Sequence, residues 1–515
     1  MYKTIKKITF IFIISQLFIN VLSAQKHDYH WIMGYDSNTP DTTFSVVKFD
    51  FNSSKLYWEK FNTKYDFGTA TFNMSDSAGN LQFYSNGCWL INNKDEIMKN
   101  GDTLNPGKTY QNRCTIDHDT YGSFFNFLCI PKPKSINKYL LFHHSDTLMK
   151  FNGGEFDYDY AFKGLNYSEI DMEMEQGLGA VTKKRVTIFN DILLPGNMVA
   201  TKHSNNNDWW ILAKKSHSNI WHKILVTNDT IRWVSKQNIG KFDDTKGSGS
   251  GQYCFSKNGK RFATYNMTEQ VQVFDFDRST GELSNPIYLD LQDSIDVGGC
   301  AFSPSGRFLY VSNSYKVFQF DLEQNNIQNT KTKVGEWDGF LHKNFWPTYL
   351  TWIFHGPDCK LYLNTWGSTR YMHVINYPDN KGIECNLVQR AIVTKSLNSE
   401  TPKFPHFRTG TPMENFCDTL TTDSKPIIYF TPEVLVYPNP ATDNLKIEIL
   451  GLQTWDWGVF RMFDTTGKEI WRKNLRSEEE IERIDITNFP SGLYEWTVTL
   501  DHFGVKSGKV IIGKN

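Results

Sequence analysis

Phe255-Ser256-Lys257-Asn258-Gly259-Lys260-Arg261-Phe262-Ala263-Thr264-Tyr265 returns in outline as Phe302-Ser303-Pro304-Ser305-Gly306-Arg307-Phe308-Leu309-Tyr310-Val311. Each copy reads as a strand ending on Phe, a tight turn and a second strand with alternating aromatics. Pro304 presets the turn, and Gly259 and Gly306 supply its unusual backbone angles. A looser copy runs from Phe354 through His355-Gly356-Pro357-Asp358 to Leu363, and a longer-turn copy from Phe72 to Tyr84. Phe302 follows Phe255 by 47 residues and Phe354 follows Phe302 by 52. A period of about 50 residues with four strands per unit marks a β-propeller, whose blades bury their faces only against one another.

Less regular segments fill the same period. Trp31 to Gly34 with Phe44 to Phe51 supplies one blade, and Phe127 to Ile130 with Lys138 to His143 another. Met198 to His203, Trp209 to Lys214 and Ile220 to Val226 read as three consecutive strands. The fold expected is all-β: a propeller over residues 25–415 whose strands count to seven blades, with six or eight left open, and with Lys403-Phe404-Pro405-His406-Phe407-Arg408 ending the last blade. Residues 416–433, rich in Asp, Thr, Ser and Pro, read as a linker.

A second, smaller β unit follows. It opens with Tyr437-Pro438-Asn439-Pro440-Ala441-Thr442-Asp443 and continues with the alternating run Leu445 to Ile449. Pro438 and Pro440 remove two amide donors, so the opening cannot be a central strand. Asp464-Thr465-Thr466-Gly467-Lys468 is a turn between two strands. Phe489-Pro490-Ser491-Gly492-Leu493-Tyr494 leads into another, and Lys509-Val510-Ile511-Ile512 ends the chain. Short strands with turn signals in about 80 residues predict a β-sandwich. The motif order resembles, over 434–515, the type A C-terminal sorting domain of the Bacteroidota type IX secretion system. The resemblance carries Tyr437, Pro438, Asn439, Pro440, Asp443, Gly467, Pro490, Gly492, Tyr494 and Lys509 as the sorting motif. It implies the type IX secretion machinery as a partner, and passage through the periplasm to the medium or the outer cell surface. In architecture, the passenger is similar to the WD40-like and lactonase-like propellers found ahead of such domains.

The other end agrees with export. Lys3, Lys6 and Lys7 precede a mostly apolar stretch, Ile8 to Leu22, and Leu22-Ser23-Ala24 offers a cleavage site. This is the pattern of a signal peptide over residues 1–24. No later stretch reaches the ~18 apolar residues of a spanning helix. The formal charge of −1 argues against nucleic acid as a partner. Eight cysteines permit disulfides outside the cytoplasm. Cys114 with Cys129 and Cys359 with Cys385 are the candidate bridges, whereas Cys88, Cys254 and Cys300 read as small buried residues.

Signals for chemistry are sparse. Asp117-His118-Asp119 and His143-His144 place adjacent side chains on opposite strand faces. Asp171, Glu173 and Glu175 would line one strand face, either as a cation site or as a solvated edge. Asp157-Tyr158-Asp159 and Asp243-Asp244 repeat that choice more weakly. Trp209, Trp210, Trp221 and Trp233 would stack on sugars or pack between blades. Gly247 to Gly251 and the pair Gly298-Gly299 precede the clearest blade motifs. They point to Gln252, Tyr253 and Asp296 as residues facing the mouth of the axial channel, unless the glycines only relieve crowding there. Two functions stay open. One is a non-catalytic propeller binding a glycan or protein, with no cofactor. The other is a hydrolase or lactonase with an axial divalent cation.

Overall fold

The computed structural model describes residues 25–410 and 433–514, except 36–43, 53–55, 69–70, 109, 117–119, 122–126, 145, 150–158, 195, 197, 243–250, 268, 295, 343–344, 366–368, 399–400, 451–457, 476–480 and 501–503. The expected signal peptide and nearly all of the expected linker lie outside the described residues. So do Asp117-His118-Asp119, Asp157, Asp243-Asp244 and Gly247 to Ser250.

Seven antiparallel sheets follow one another in chain order. Blade 1 is His30–Met33, Val46–Asp50 and Tyr57–Phe61; blade 2 is Phe72–Ser75, Leu81–Ser85 and Leu90–Asn92. Blade 3 pairs Phe127–Pro131, Lys138–His143, Asp159–Asp171 and Ala180–Leu193, with Asp146–Met149 added beside its third strand. Blade 4 is Val199–Lys202, Trp209–Lys214, Ile220–Val226 and Ile231–Asn238. Blade 5 is Gly251–Phe255, Arg261–Asn266, Gln270–Asp277 and Glu282–Leu289. Blade 6 is Cys300–Phe302, Phe308–Ser312, Lys316–Asp321 and Thr332–Glu336, and blade 7 is Ile353–His355, Leu361–Asn364, Thr369–Ile375 and Leu387–Asn398. The first strand of each blade is the inner one.

Alternation along each strand sends successive side chains to the two neighbouring blades. Ile32, Val46, Tyr84 and Ile91 join blades 1 and 2. A larger cluster runs through blades 2, 3 and 4. Trp210, Trp221, Tyr253 and Phe262 join blades 4 and 5, and Ala263, Tyr265, Phe302 and Leu309 join blades 5 and 6. Tyr310, Val317, Leu361 and Ile375 join blades 6 and 7. Trp31, Phe49, Phe354 and Tyr362 close the ring between blades 7 and 1. The result is a closed seven-bladed propeller.

The repeat behaves as its turn chemistry requires. Ser256 N–H donates to Arg261 O and Gly259 N–H to Ser256 O; Ser303 N–H donates to Phe308 O and Gly306 N–H to Ser303 O. Both glycines sit at positive φ, +69° and +77°. Phe255 and Phe302 each pack on the preceding blade. Phe354 does not match them. The blade 7 turn is one residue shorter, Gly356 N–H donating to Lys360 O, so Phe354 faces blade 1 instead.

The C-terminal unit is a sandwich. Glu433–Tyr437, Asn444–Leu450 and Ile481–Asp485 form one sheet; Glu469–Leu475, Gly458–Phe463, Gly492–Leu500 and Gly504–Ile512 form the other. Leu445, Ile447 and Ile484 meet Phe460, Met462, Val498 and Val510 between them.

Disulfide pairing differs from expectation. Cys88 bonds to Cys114, with Cα atoms 5.7 Å apart, while Cys129 and Cys385 are free and buried. Cys114 sits on a short helical turn, Tyr110–Ile116, packed over the blade 2 loop rather than on a strand beside Cys129. Cys359 is also in a disulfide, but not with Cys385.

Phe302→Ala should open a cavity between blades 5 and 6 and lower unfolding stability by about 3–5 kcal/mol in denaturant titration. A loss under about 1 kcal/mol would mean that Phe302 is not the inter-blade wedge described.

Candidate functional site

The axial channel is filled by the chain itself. After blade 7, Thr401 to Thr409 runs along the inner strands instead of ending the blade, which corrects the sequence expectation for Lys403 to Arg408. Thr401 Oγ1 donates to Asn364 Oδ1 (2.6 Å). Phe404 packs on both the blade 2–4 cluster and the blade 7–1 cluster. Phe407 is buried against Trp209, His27 and Phe404. His406 Nε2 donates to Phe255 O (2.9 Å), and Thr409 Oγ1 donates to Lys257 O (2.9 Å). Among the described residues, a cavity of about 50 Å³ remains between this plug and the inner strands of blades 3, 4, 5 and 7. Pro402 and Pro405 suit the plug, because an extended segment with no strand partner needs fewer amide donors satisfied.

The plug carries charge into the interior. Burial pushes the Lys403 amine down to about 8. Lys257 falls to about 8 for the same reason, aided by the Arg408 guanidinium, and its Nζ lies 2.8 Å from Cys359 Sγ. His406 is held down to about 3 by burial, with Lys257 adding to it, and its ring meets His355 edge-on at 4.6 Å. These imidazoles are neutral and serve packing and hydrogen bonding. Arg408 approaches Asp28 Oδ1 (3.9 Å) and covers the Tyr29 ring.

The residues expected at the channel mouth are placed as follows. Gln252 is buried and clamps blade 7 across blade 6: its Nε2 donates to Ile353 O (2.5 Å) and its Oε1 accepts Ile353 N–H (2.9 Å). Gly299 is small because Gln252 Oε1 occupies the place of a Cβ. Tyr253 borders the residual axial cavity, but its ring turns away from it. It packs between blades 4 and 5 against Trp221, because alternate residues of an inner strand face alternate blades. Asp296 is half-buried where the inner strand of blade 6 begins; its carbonyl accepts Tyr265 Oη (2.7 Å) and its Oδ1 accepts Val297 N–H. Crowding relief therefore explains the paired glycines.

Other candidates are structural. Asp171 pairs with Lys138 (2.8 Å) and Glu175 with Lys99 (2.6 Å). Trp209, Trp210 and Trp221 are buried between blades, whereas Trp233 is exposed and donates from Nε1 to His222 Nδ1. Among the described residues, no group of three or more His, Cys, Asp or Glu side chains is arranged to hold a metal.

A roomier site lies on blade 3, and the sequence reading missed it. Its long outer hairpin is bulged four times, and Gly164, at φ +84°, makes one bulge where a Cβ would press on Phe189 O. The bulges open a cavity of about 350 Å³ lined by Asn105, Pro106, Lys163, Asn166, Arg185, Thr187 and Asn190. Arg185 is anchored by Nη1 donating to Thr103 O (2.7 Å), and Thr187 Oγ1 donates to Asn166 Oδ1 (2.9 Å). Behind the wall, the Asn105 amide nitrogen donates to His143 Nδ1 (2.6 Å). His143 Nε2 donates to Ser168 Oγ (2.9 Å), which also accepts Arg185 N–H. Burial holds His143 down to about 3, so this tautomer is fixed and neutral. The only sequence signal was the His143-His144 pair at a strand end.

The sandwich explains its motif. Asn439 Oδ1 accepts Ile511 N–H (2.9 Å) and its Nδ2 donates to Lys509 O (3.1 Å), while Ala441 N–H donates to Ile511 O (2.8 Å). The opening loop is thus clasped to the terminal strand. Asp464 caps the turn at Gly467, Tyr494 Oη donates to Pro490 O (2.7 Å), and Lys509 pairs with Glu495 (3.2 Å). Tyr437 Oη donates to Glu448, and Asp443 O accepts Ile486 N–H.

Residues 435–513 match the secretion system C-terminal sorting domain. The chain carries a type IX sorting tail. That tail marks the protein for export to the cell surface or the medium and implies contact with the secretion machinery. No helix among the described residues is long and apolar enough to cross a membrane. No curated protein matches the chain. Among solved structures, similarity extends to a functionally unknown protein from Desulfotomaculum acetoxidans, at 13% identity and TM-score 0.36, over 73% of this chain and 99% of that one. A putative 6-phosphogluconolactonase from Bacteroides fragilis gives 14% and 0.35 over 74% and 96%. The β-propeller domain of Cps50 (Swd1) from Myceliophteria thermophila gives 10% and 0.33 over 63% and 88%. At such scores the propeller rests on this chain's own sheets and ring of cores.

Lys403 yields a pH test. Below about pH 8 the folded protein holds a buried ammonium that the unfolded chain keeps in water. Between that value and the ordinary lysine pKa of about 10.4, the folded state releases its proton first, so stability recovers as pH rises. Lys403→Met should therefore be more stable than the parent at pH 7, with the advantage shrinking toward pH 10 in denaturant titrations. A difference that stays constant across that window contradicts the burial of the amine.

Proposed function

We propose that the protein is an exported, non-catalytic binding module: a propeller that engages an extracellular glycan from its outer surface. The observation that carries this reading is the plugged axis. A propeller hydrolase needs its axial mouth open to substrate, and here Phe404, His406 and Phe407 occupy the bore. The blade 3 cavity, by contrast, is open, and it offers amides, a hydroxyl and two cations, of which Arg185 is held by hydrogen bonds and Lys163 is exposed. Such donors suit a sugar's hydroxyls, and Arg185 with Lys163 favours one bearing a carboxylate.

Binding of the purified mature chain to a glycan array, repeated with Arg185→Ala and Thr187→Ala, tests the reading. Retained uronate-containing ligands that the variants lose support it. Equal binding by parent and variants moves the site elsewhere, and turnover of a lactone or glycoside by the parent overturns the non-catalytic reading.

Export has its own test. Removal of Val434 to Asn515 should leave a folded propeller in the periplasm and none in the medium or on the surface, by fractionation and immunoblot. Normal appearance of the truncated chain outside the cell contradicts the role of the tail.

A further inference from the structure

Two thiols meet beside the plug. Cys254, on the inner strand of blade 5, turns toward blade 6, and Cys300, on the inner strand of blade 6, turns toward blade 5. Their sulfurs are 3.8 Å apart, and Cys300 Sγ also reaches Gln252 O at 3.3 Å. Both are free. Their environments differ in a useful way. Cys300 is fully buried, whereas Cys254 is partly accessible and lines the residual axial cavity together with Lys403.

We propose that Cys254 and Cys300 are a modification site, oxidised to a disulfide that staples blades 5 and 6 at the axis once the chain has left the cytoplasm. The geometry needs only a small closure, because thiols in van der Waals contact must approach to about 2.05 Å. Burial raises the Cys300 thiol well above its ordinary pKa, with Cys254 adding to the rise and Lys403 only partly opposing it, so Cys300 suits the resolving role rather than the first attack. The compartment supplies the oxidant: a protein or small-molecule disulfide of the periplasm or exterior. The steps balance. The Cys254 thiolate attacks the oxidant's disulfide, forming a mixed disulfide and releasing one thiolate. The Cys300 thiolate then attacks the Cys254 sulfur and releases the second. Two protons leave the cysteines, and two electrons end on the two thiols of the reduced oxidant. Cys254, the partly accessible thiol, meets the oxidant first while the exported chain is folding and before Thr401 to Thr409 seals the bore, and Cys300 resolves it.

The inference depends on export for its oxidant and is independent of the glycan reading. It is tested on two samples of the full mature chain. Protein collected from the medium is denatured without reductant, alkylated with iodoacetamide, digested and analysed by mass spectrometry. The expected result is a cross-linked peptide pair joining Cys254 to Cys300, with neither alkylated. Reduced chain purified from cytoplasmic expression is separately unfolded and refolded with oxidised glutathione, and the same cross-link should appear; this arm holds even if the export assignment fails. Carbamidomethyl groups on both cysteines in the glutathione arm, or a bond from either to another cysteine, overturn the proposal. As a folding-independent check, the parent should melt above Cys254→Ala/Cys300→Ala without reductant and lose that margin with it. The Cys88–Cys114 bond and the bond made by Cys359 are common to both chains and cancel.

Discussion

Each propeller sheet has two apolar faces and no means of burying them alone, so the whole structure depends on ring closure. Closure is made by Trp31, Phe49 and Phe51 of blade 1 against Phe354 and Tyr362 of blade 7. These aromatics form edge-on contacts that give large buried area with few rotamers to fix. Without that seam, blades 1 and 7 would each expose a sheet face, and the inner strands would have no common axis. Clasps across the axis follow from closure too: Gln252 reaches Ile353 only because blades 5, 6 and 7 are held at fixed angles to one another.

Closure also creates a problem at the centre. Seven inner strands leave a bore too narrow for side chains near Gly298 and Gly299 and too wide to be filled elsewhere. The chain resolves it with its own Thr401 to Thr409, which brings Phe404 and Phe407 to the apolar part and His406, Arg408 and Thr409 to the polar end. Proximity in sequence makes this cheap in entropy, since the plug follows the last blade directly. The cost is two buried amines, Lys257 and Lys403, pushed down to about 8, and two imidazoles, His355 and His406, held neutral inside the protein. The centre of the ring is here a piece of the core.

Much of this was legible from residues. Turn chemistry at Gly259 and Gly306, with Phe at a period near 50, gave the blades, because local turns and alternation are written in sequence; their number was settled only by the closed ring. The sorting tail was legible because its motifs are local and ordered along the chain, and the structure ties the first to the last through Asn439 and the terminal strand. What failed needed the third dimension. Lys403 to Arg408 reads as a strand end, and only a closed ring reveals a bore for it. Tyr253 and Gln252 are adjacent, yet alternation sends them to different blades. The blade 3 cavity comes from bulges that break the two-residue period, which hides them from any search for periodicity.

The central claim is that the axis is occupied by the chain's own plug, and amide hydrogen exchange on the full mature protein tests it most directly. The account predicts that peptides covering Thr401 to Thr409 exchange as slowly as those of the inner strands Gly251–Phe255 and Cys300–Phe302. Exchange of that segment within seconds, while the inner strands stay protected, would show an open channel and contradict the account.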